Sequence, residues 1–103
     1  MDSVKENIEI KEKEIIEQVK KGDKQAYREL VKKYMKKAYY YALGFVHNEQ
    51  DALDISQEAF IRAYRRIKSF DPNKKFLPWF YQIIRNLCLD WIKKRKKSSE
   101  IPL

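Results

Sequence analysis

The sequence predicts an all-α domain, a compact bundle of about three main helices plus an N-terminal helix. Three observations lead there. Apolar residues recur at spacings of three and four along nearly the whole 103-residue chain. Only two glycines and three prolines interrupt it, and turn-forming residues gather where helix ends are expected. Alternating runs of Val and Thr, the mark of half-buried strands, are almost absent.

The first helix sets Ile8, Ile15, Ile16 and Val19 on roughly one face and stops at Lys20-Lys21-Gly22. Cations suit the negative end of a helix, and Gly takes the left-handed turn that follows it. Asp23 is placed to cap the second helix, whose Ala26, Leu30, Val31, Tyr34, Ala38, Tyr41, Ala42 and Phe45 repeat at helical spacing to about residue 47. Gly44 falls inside that pattern and is expected to permit close packing against a neighbour, with Asn48 as a stop signal. The third helix is expected from Glu49 or Gln50 to Ile67, with Ala52, Ile55, Ala59, Phe60, Ala63 and Ile67 inward. Its outward residues are Asp51, Asp54, Gln57, Glu58, Arg62 and Arg65. Ser69-Phe70-Asp71-Pro72-Asn73-Lys74-Lys75 breaks the period and reads as a loop of about seven to nine residues. Pro78 suits the first turn of the last helix, which carries an apolar stripe of Phe80, Ile83, Ile84, Leu87 and Trp91 into Lys93-Lys94-Arg95-Lys96-Lys97. Residues 1–97 thus form the domain, and residues 98–103 read as a tail or the start of a linker.

The net charge of +8 is unevenly spread: −1 over residues 1–21, +4 over 22–48, zero over 49–70 and +5 over 71–103. Such an excess favours a polyanionic partner, nucleic acid or an acidic membrane surface. One Cys allows no internal disulfide and no Cys-based metal site, and no apolar run approaches the ~20 residues that cross a bilayer. With no signal-peptide pattern at the start, a soluble protein of the reducing cytoplasm is expected.

Catalysis finds little support. His47 is the only histidine and sits at an expected helix end, away from any nucleophile motif. Asp51, Asp54 and Glu58 share a face, but Arg62 and Arg65 continue it, so an ion-paired surface is a simpler account than a metal or acid/base site. No phosphate-cradling Gly motif occurs, and no cofactor is implied. Cys88 lies beside the apolar stripe and reads as a packing residue. In Trp79-Phe80-Tyr81, consecutive helical residues point in different directions, so at least one ring should be exposed. That ring either half-covers a bulky core or is offered to a partner such as an unstacked base.

Asp54-Ile55-Ser56-Gln57-Glu58-Ala59-Phe60-Ile61-Arg62-Ala63-Tyr64, a loop after Phe70, and then Phe76-Leu77-Pro78-Trp79-Phe80-Tyr81-Gln82-Ile83-Ile84-Arg85-Asn86 with Asp90 closely resemble bacterial RNA polymerase sigma factors. The likeness is to the second conserved region of the extracytoplasmic-function group, and Gly22-Asp23-Lys24-Gln25-Ala26-Tyr27 with Leu30 through Tyr34 fits that family's opening helix. It covers roughly residues 15–97, three segments in order, which is more specific than any single short motif.

The resemblance implies that Asp54, Gln57 and Glu58 dock on the clamp helices of the largest subunit of RNA polymerase core, with Asp51, Ile61, Arg62 and Arg65 extending the surface. It also implies that the loop at 70–77 and the last helix engage the non-template strand of the minus-ten promoter element, taking a flipped base into a pocket. Extracting a base costs a few kcal/mol, which stacking and phosphate contacts must offset. Lys74, Lys75 and Phe76 suit those tasks, and Trp79 is a further candidate for DNA contact. Asn86 matches a position near the single strand, where an amide can both donate and accept. Asp90, Lys93 and Lys94 match positions near the upstream duplex edge, and Lys97 continues the basic run. An anti-sigma factor is a further candidate partner. Two departures bear on base preference: Gln82 stands where many relatives carry Arg, and Pro78 where a small polar residue is common. The helix-turn-helix domain that normally follows in the family is not in this sequence, which leaves a fragment of a longer factor or a single-domain relative. The alternative function is a helical interaction module that binds an acidic regulatory partner.

Overall fold

A computed structural model of the chain describes the backbone of residues 2–100 and the side chains of residues 11–97. Four helices follow in order: α1 (Asp2–Lys20), α2 (Lys24–Val46), α3 (Glu49–Arg66) and α4 (Phe76–Glu100), with a 3₁₀ turn, Ile67–Ser69, after α3. No strand occurs among the described residues, so the all-α expectation holds. Ile8 lies outside the described side chains.

The caps explain the boundaries. Gly22 takes φ 101, the left-handed conformation that a side chain would resist, and Asp23 then caps α2 by accepting from the backbone N–H groups of Gln25 and Ala26. At the other end of α2, His47 adopts φ 53, and its N–H closes the last turn onto the Leu43 carbonyl. Asn48, which marked a stop in the sequence, starts the next helix instead: its side chain accepts from the Asp51 N–H. Only two residues therefore separate α2 from α3.

The core lies where α2, α3 and α4 meet, and α1 extends it by packing on α2 and the 3₁₀ turn. Ile16 and Val19 come from α1; Ala26, Leu30, Tyr34, Ala38, Ala42 and Val46 from α2; Ala52, Ile55, Ala59, Phe60 and Ala63 from α3; and Phe76, Phe80, Ile83, Ile84 and Cys88 from α4. The fully buried alanines on α2 and α3 let the backbones approach closely, and the rings of Phe60, Phe76 and Phe80 fill the space at α4. Each large apolar side chain buried this way contributes about 1.5–3 kcal/mol. Contacts fix the directions. Tyr27 of α2 meets Phe60 and Tyr64 of α3, its hydroxyl donating to the Phe60 carbonyl. Phe60 meets Phe80, while Asp51 meets Arg95, so α3 and α4 run antiparallel. Glu12 ties α1 to α2, accepting from Lys33 Nζ and from the Tyr34 hydroxyl, each at 2.6 Å. Burial, reinforced by that hydrogen bond to Glu12, raises the Tyr34 pKa well above the ordinary phenol range.

Several expectations need correction. Gly44 is exposed, and a Cβ built on it would meet nothing within 4 Å, so it serves no close packing. The 3₁₀ turn and an earlier start of α4 shorten the loop to residues 70–75. Pro78 does lie in the first turn of α4, as expected. The backbone of α4 runs to Glu100. Within Trp79-Phe80-Tyr81 no ring is fully exposed: Phe80 is buried, Trp79 packs on Phe70 and Tyr81 stacks on Tyr41 at 4.1 Å. The run can turn through some 200° because the loop covers one flank of α4 and α2 covers the other.

Candidate nucleic-acid interface and docking face

Two exposed surfaces stand on this core. The first is the outer face of α3, where spacings of three and four bring Asp54, Gln57, Glu58, Ile61 and Arg65 together. Asp54 accepts a hydrogen bond from Gln50 at 2.9 Å, and Glu58 pairs with Arg62 at 3.5 Å. Exposed pairs at this spacing contribute only a few tenths of a kcal/mol, about 0.3–0.5, so the face is held loosely enough to exchange partners. Asp51 stands apart. It is partly buried at the edge toward α4, 3.9 Å from Arg95, whose guanidinium also lies 5.0 Å from the Trp91 ring.

Sequence reasoning missed Leu53, which is 40% exposed and forms a row with Gln57 and the 47%-exposed Ile61. Leucine and isoleucine left in water beside charged groups give the face an apolar centre, the arrangement expected of a helix-docking surface. The available signal was i, i+4 spacing on the polar side of the α3 pattern.

The second surface follows the loop and the outer face of α4. Trp79, Asn86, Asp90, Lys93 and Lys97, spaced by seven, four, three and four residues, lie along one side of the helix over about 27 Å. Lys74 and Lys75 are exposed at its N-terminal end, while Lys93, Lys94 and Lys97 are exposed toward its C-terminal end. Cations therefore flank a stretch that offers a half-buried ring, the Asn86 amide and Gln82. Asp90 is exposed among the lysines; a carboxylate there repels phosphate but can accept from an exocyclic amino group of a base.

Phe76 does not belong to this surface. It is 0% exposed, packed among Tyr34, Phe70, Trp79 and Phe80, so its ring fills the core and offers no stacking face. The loop itself is shaped locally. Asp71 accepts from the Asn73 N–H through its side chain at 2.9 Å, and its carbonyl accepts from the Lys74 N–H at 3.0 Å. Lys74 and Lys75 follow that turn, both exposed.

Other chemistry is sparse. Among the described residues no group of three or more His, Cys, Asp or Glu is placed to hold a metal ion, and no helix is long and apolar enough to cross a membrane. His47 is exposed at the helix corner. Cys88 is fully buried, and desolvation pushes its thiol up to about 11, far from the range of a reactive thiolate.

Comparison with known proteins accords with this geometry. The family model described as Sigma-70 region 2 matches residues 30–98. The ECF RNA polymerase sigma factor SigW of Bacillus subtilis is 49% identical over 84 residues, which cover 82% of this chain and 45% of that protein. The RNA polymerase sigma-H factor of Pseudomonas aeruginosa is 41% identical over 75 residues, covering 73% of this chain and 39% of its own length. The chain thus spans about half the length of the curated relatives it matches. An NMR structure of an engineered region 2 of sigmaE in complex with GTAAAA superposes with a TM-score of 0.80 at 36% identity, covering 87% of this chain and 94% of that one. With the helix order in place, and with a family model and relatives that each cover most of its length, the chain belongs to the sigma-70 region 2 family, in its extracytoplasmic-function branch.

Proposed function

We propose that this chain is the part of a sigma factor that joins RNA polymerase core to promoter DNA, docking through the outer face of α3 and holding the non-template strand of the minus-ten element along the 70–75 loop and α4. It acts by binding, without a reaction of its own. The observation that carries the reading is the separation of the two surfaces. A mixed acidic and apolar face on α3 suits a helical protein partner, whereas the cation-flanked face of α4 suits a polyanion with bases to read. Because both stand on one packed core, docking on the polymerase fixes where the strand is held. The relative solved in complex with GTAAAA supports a short nucleic acid of that sequence as ligand. On such a strand, Lys74, Lys75, Lys93, Lys94 and Lys97 meet phosphates and position it, while Trp79 and Asn86 meet bases.

Replacing Asp54, Gln57 and Glu58 together with Ala tests the docking half. All three side chains reach solvent, so helicity and thermal stability should stay near those of the parent. Affinity for polymerase core in a calorimetric titration should drop by about tenfold or more. Unchanged affinity in the folded variant refutes the assignment of α3.

A further inference from the structure

We propose that Lys20, the last residue of α1, is a positioning residue for the 70–75 loop, holding its first carbonyl so that the loop and Trp79 keep the shape that distinguishes one base from another; this rests on the promoter-strand reading above. Lys20 Nζ donates to the Phe70 carbonyl at 2.7 Å, in a partly buried setting and across 50 residues of sequence. Among the described residues Lys20 makes no ion pair, so its ammonium is directed to that carbonyl rather than to a carboxylate.

Phe70 is held from three directions. Its N–H donates to the Ile67 carbonyl at 3.1 Å, its buried ring lies 4.8 Å from Trp79 and 6.0 Å from Phe76, and Lys20 takes the carbonyl. Fixing ring and carbonyl together fixes the peptide plane from which residues 71–75 depart. Beyond that plane the hydrogen bonds are local, the turn around Asp71. Among the described residues, the Lys20 bond is the one hydrogen bond that ties the loop to another helix. Lys20 also precedes the residues 30–98 matched by the family model, so the match assigns it nothing.

Without the bond the loop samples other exits from Phe70. A strand that needs one shape then binds only the competent fraction, and its apparent affinity falls by that fraction. A strand that engages phosphate contacts alone is much less affected. The competing role is direct: Lys20 could meet a phosphate itself, in which case its loss weakens all strands alike.

The test uses the full chain with polymerase core and compares the parent with Lys20→Met, which keeps the length and apolar stem of the side chain and removes the donor. Fluorescence anisotropy follows GTAAAA and singly base-substituted hexamers at several salt concentrations. The ratio of matched to substituted affinity should fall about fivefold, with the salt slope unchanged. Lys20→Arg, which restores a cationic donor, should recover most of the ratio. A second readout needs no DNA. In a Trp91→Phe background Trp79 is the sole tryptophan, and Lys20→Met should increase its quenching by acrylamide while far-UV circular dichroism stays constant. Three results overturn the proposal. One is an intact ratio with a salt slope reduced by somewhat under one unit, which makes Lys20 a phosphate contact. Another is a ratio and slope both unchanged. The third is a general loss of helicity in Lys20→Met and Lys20→Arg alike, which makes Lys20 a fold residue only. If the parent itself fails to discriminate among hexamers with core present, the promoter-strand reading falls and takes this inference with it. Discrimination by the parent that survives in Lys20→Met sinks the inference alone.

Discussion

Phe76 offers the sharpest test of where the DNA surface ends. The resemblance sets it beside the loop proposed to take a base, but its ring lies 5.4 Å from Tyr34, 5.7 Å from Trp79 and 5.2 Å from Phe80, with no exposure to solvent. Truncation to Ala should cost about 3–5 kcal/mol, a large share of the roughly 5–15 kcal/mol that holds a domain together, so that variant unfolds too readily to assay. Phe76→Leu is the informative change. It removes about three carbon groups at ~0.8 kcal/mol each, together with part of the ring–ring attraction. A loss of about 2–3 kcal/mol follows. In urea, where small domains have slopes of about 1–3 kcal/mol per molar, the midpoint should move down by about 1–2 M with the slope unchanged. Under conditions where Phe76→Leu remains folded, its ratio of affinities for GTAAAA and base-substituted hexamers should equal the parent's. A variant as stable as the parent that has lost base discrimination would place the ring outside the core and refute the reasoning.

Gly44→Ala should stabilise the chain by about 1 kcal/mol, because Gly44 is exposed inside α2 with open space around a new Cβ. That corresponds to a rise of about 4–8 °C in Tm by circular dichroism, and a fall would restore the close-packing reading. At Cys88 the folded pKa is raised from 9.0 to about 11, so the native state keeps a proton that the unfolded chain has lost. Its contribution is fully present well below pH 9 and declines between 9 and 11 by about 1 kcal/mol per pH unit, short of the ~1.4 kcal/mol limit for a whole proton. Urea unfolding at pH 8, 9, 10 and 11 should show Cys88→Ala declining less steeply than the parent, and parallel curves would contradict the burial argument. Changing Lys93, Lys94 or Lys97 singly to Gln should weaken binding to matched and scrambled hexamers equally and lower the log–log salt slope by about 0.7. Altered base preference in any of the three moves the reading surface toward the C-terminal end of α4.

Most of the fold is legible in the sequence because helices announce themselves locally. The alanines of α3, the stripe of α4 and the Asp23 cap all follow from spacing and side-chain chemistry. The failures have tertiary causes. Gly44 falls within the apolar period, but the core stripe of α2 drifts around its axis from Ala26 to Val46, and by residue 44 solvent is on that side. Phe76 follows turn residues and reads as loop, yet its ring fills the space between Tyr34 and Phe80, because α4 starts early enough to place it there. The candidate surfaces were legible chiefly through family resemblance, since a charged helical face with no partner looks like any solvated surface. Leu53 and Lys20 escaped for opposite reasons. Leu53 is signalled only by its four-residue steps to Gln57 and Ile61, which read as a scattered apolar residue on a polar face, and the partner of Lys20 is a backbone carbonyl 50 residues away, which no side-chain pattern encodes.

The corner between α2 and α3 has an evolutionary consequence. His47 closes one helix and Asn48 opens the next, each with its own cap and with no residue between them. One inserted residue there would displace a cap and, if absorbed into α3, turn Asp54, Gln57 and Glu58 by about 100° around the helix axis. The 70–75 loop, mostly exposed and locally bonded, has no such rule beyond its first residue. Insertions and deletions are thus steered to the 70–75 loop and kept from the α2–α3 corner, so, under the proposed function, a lineage with this architecture can vary the segment proposed to hold the strand while the proposed docking face stays fixed.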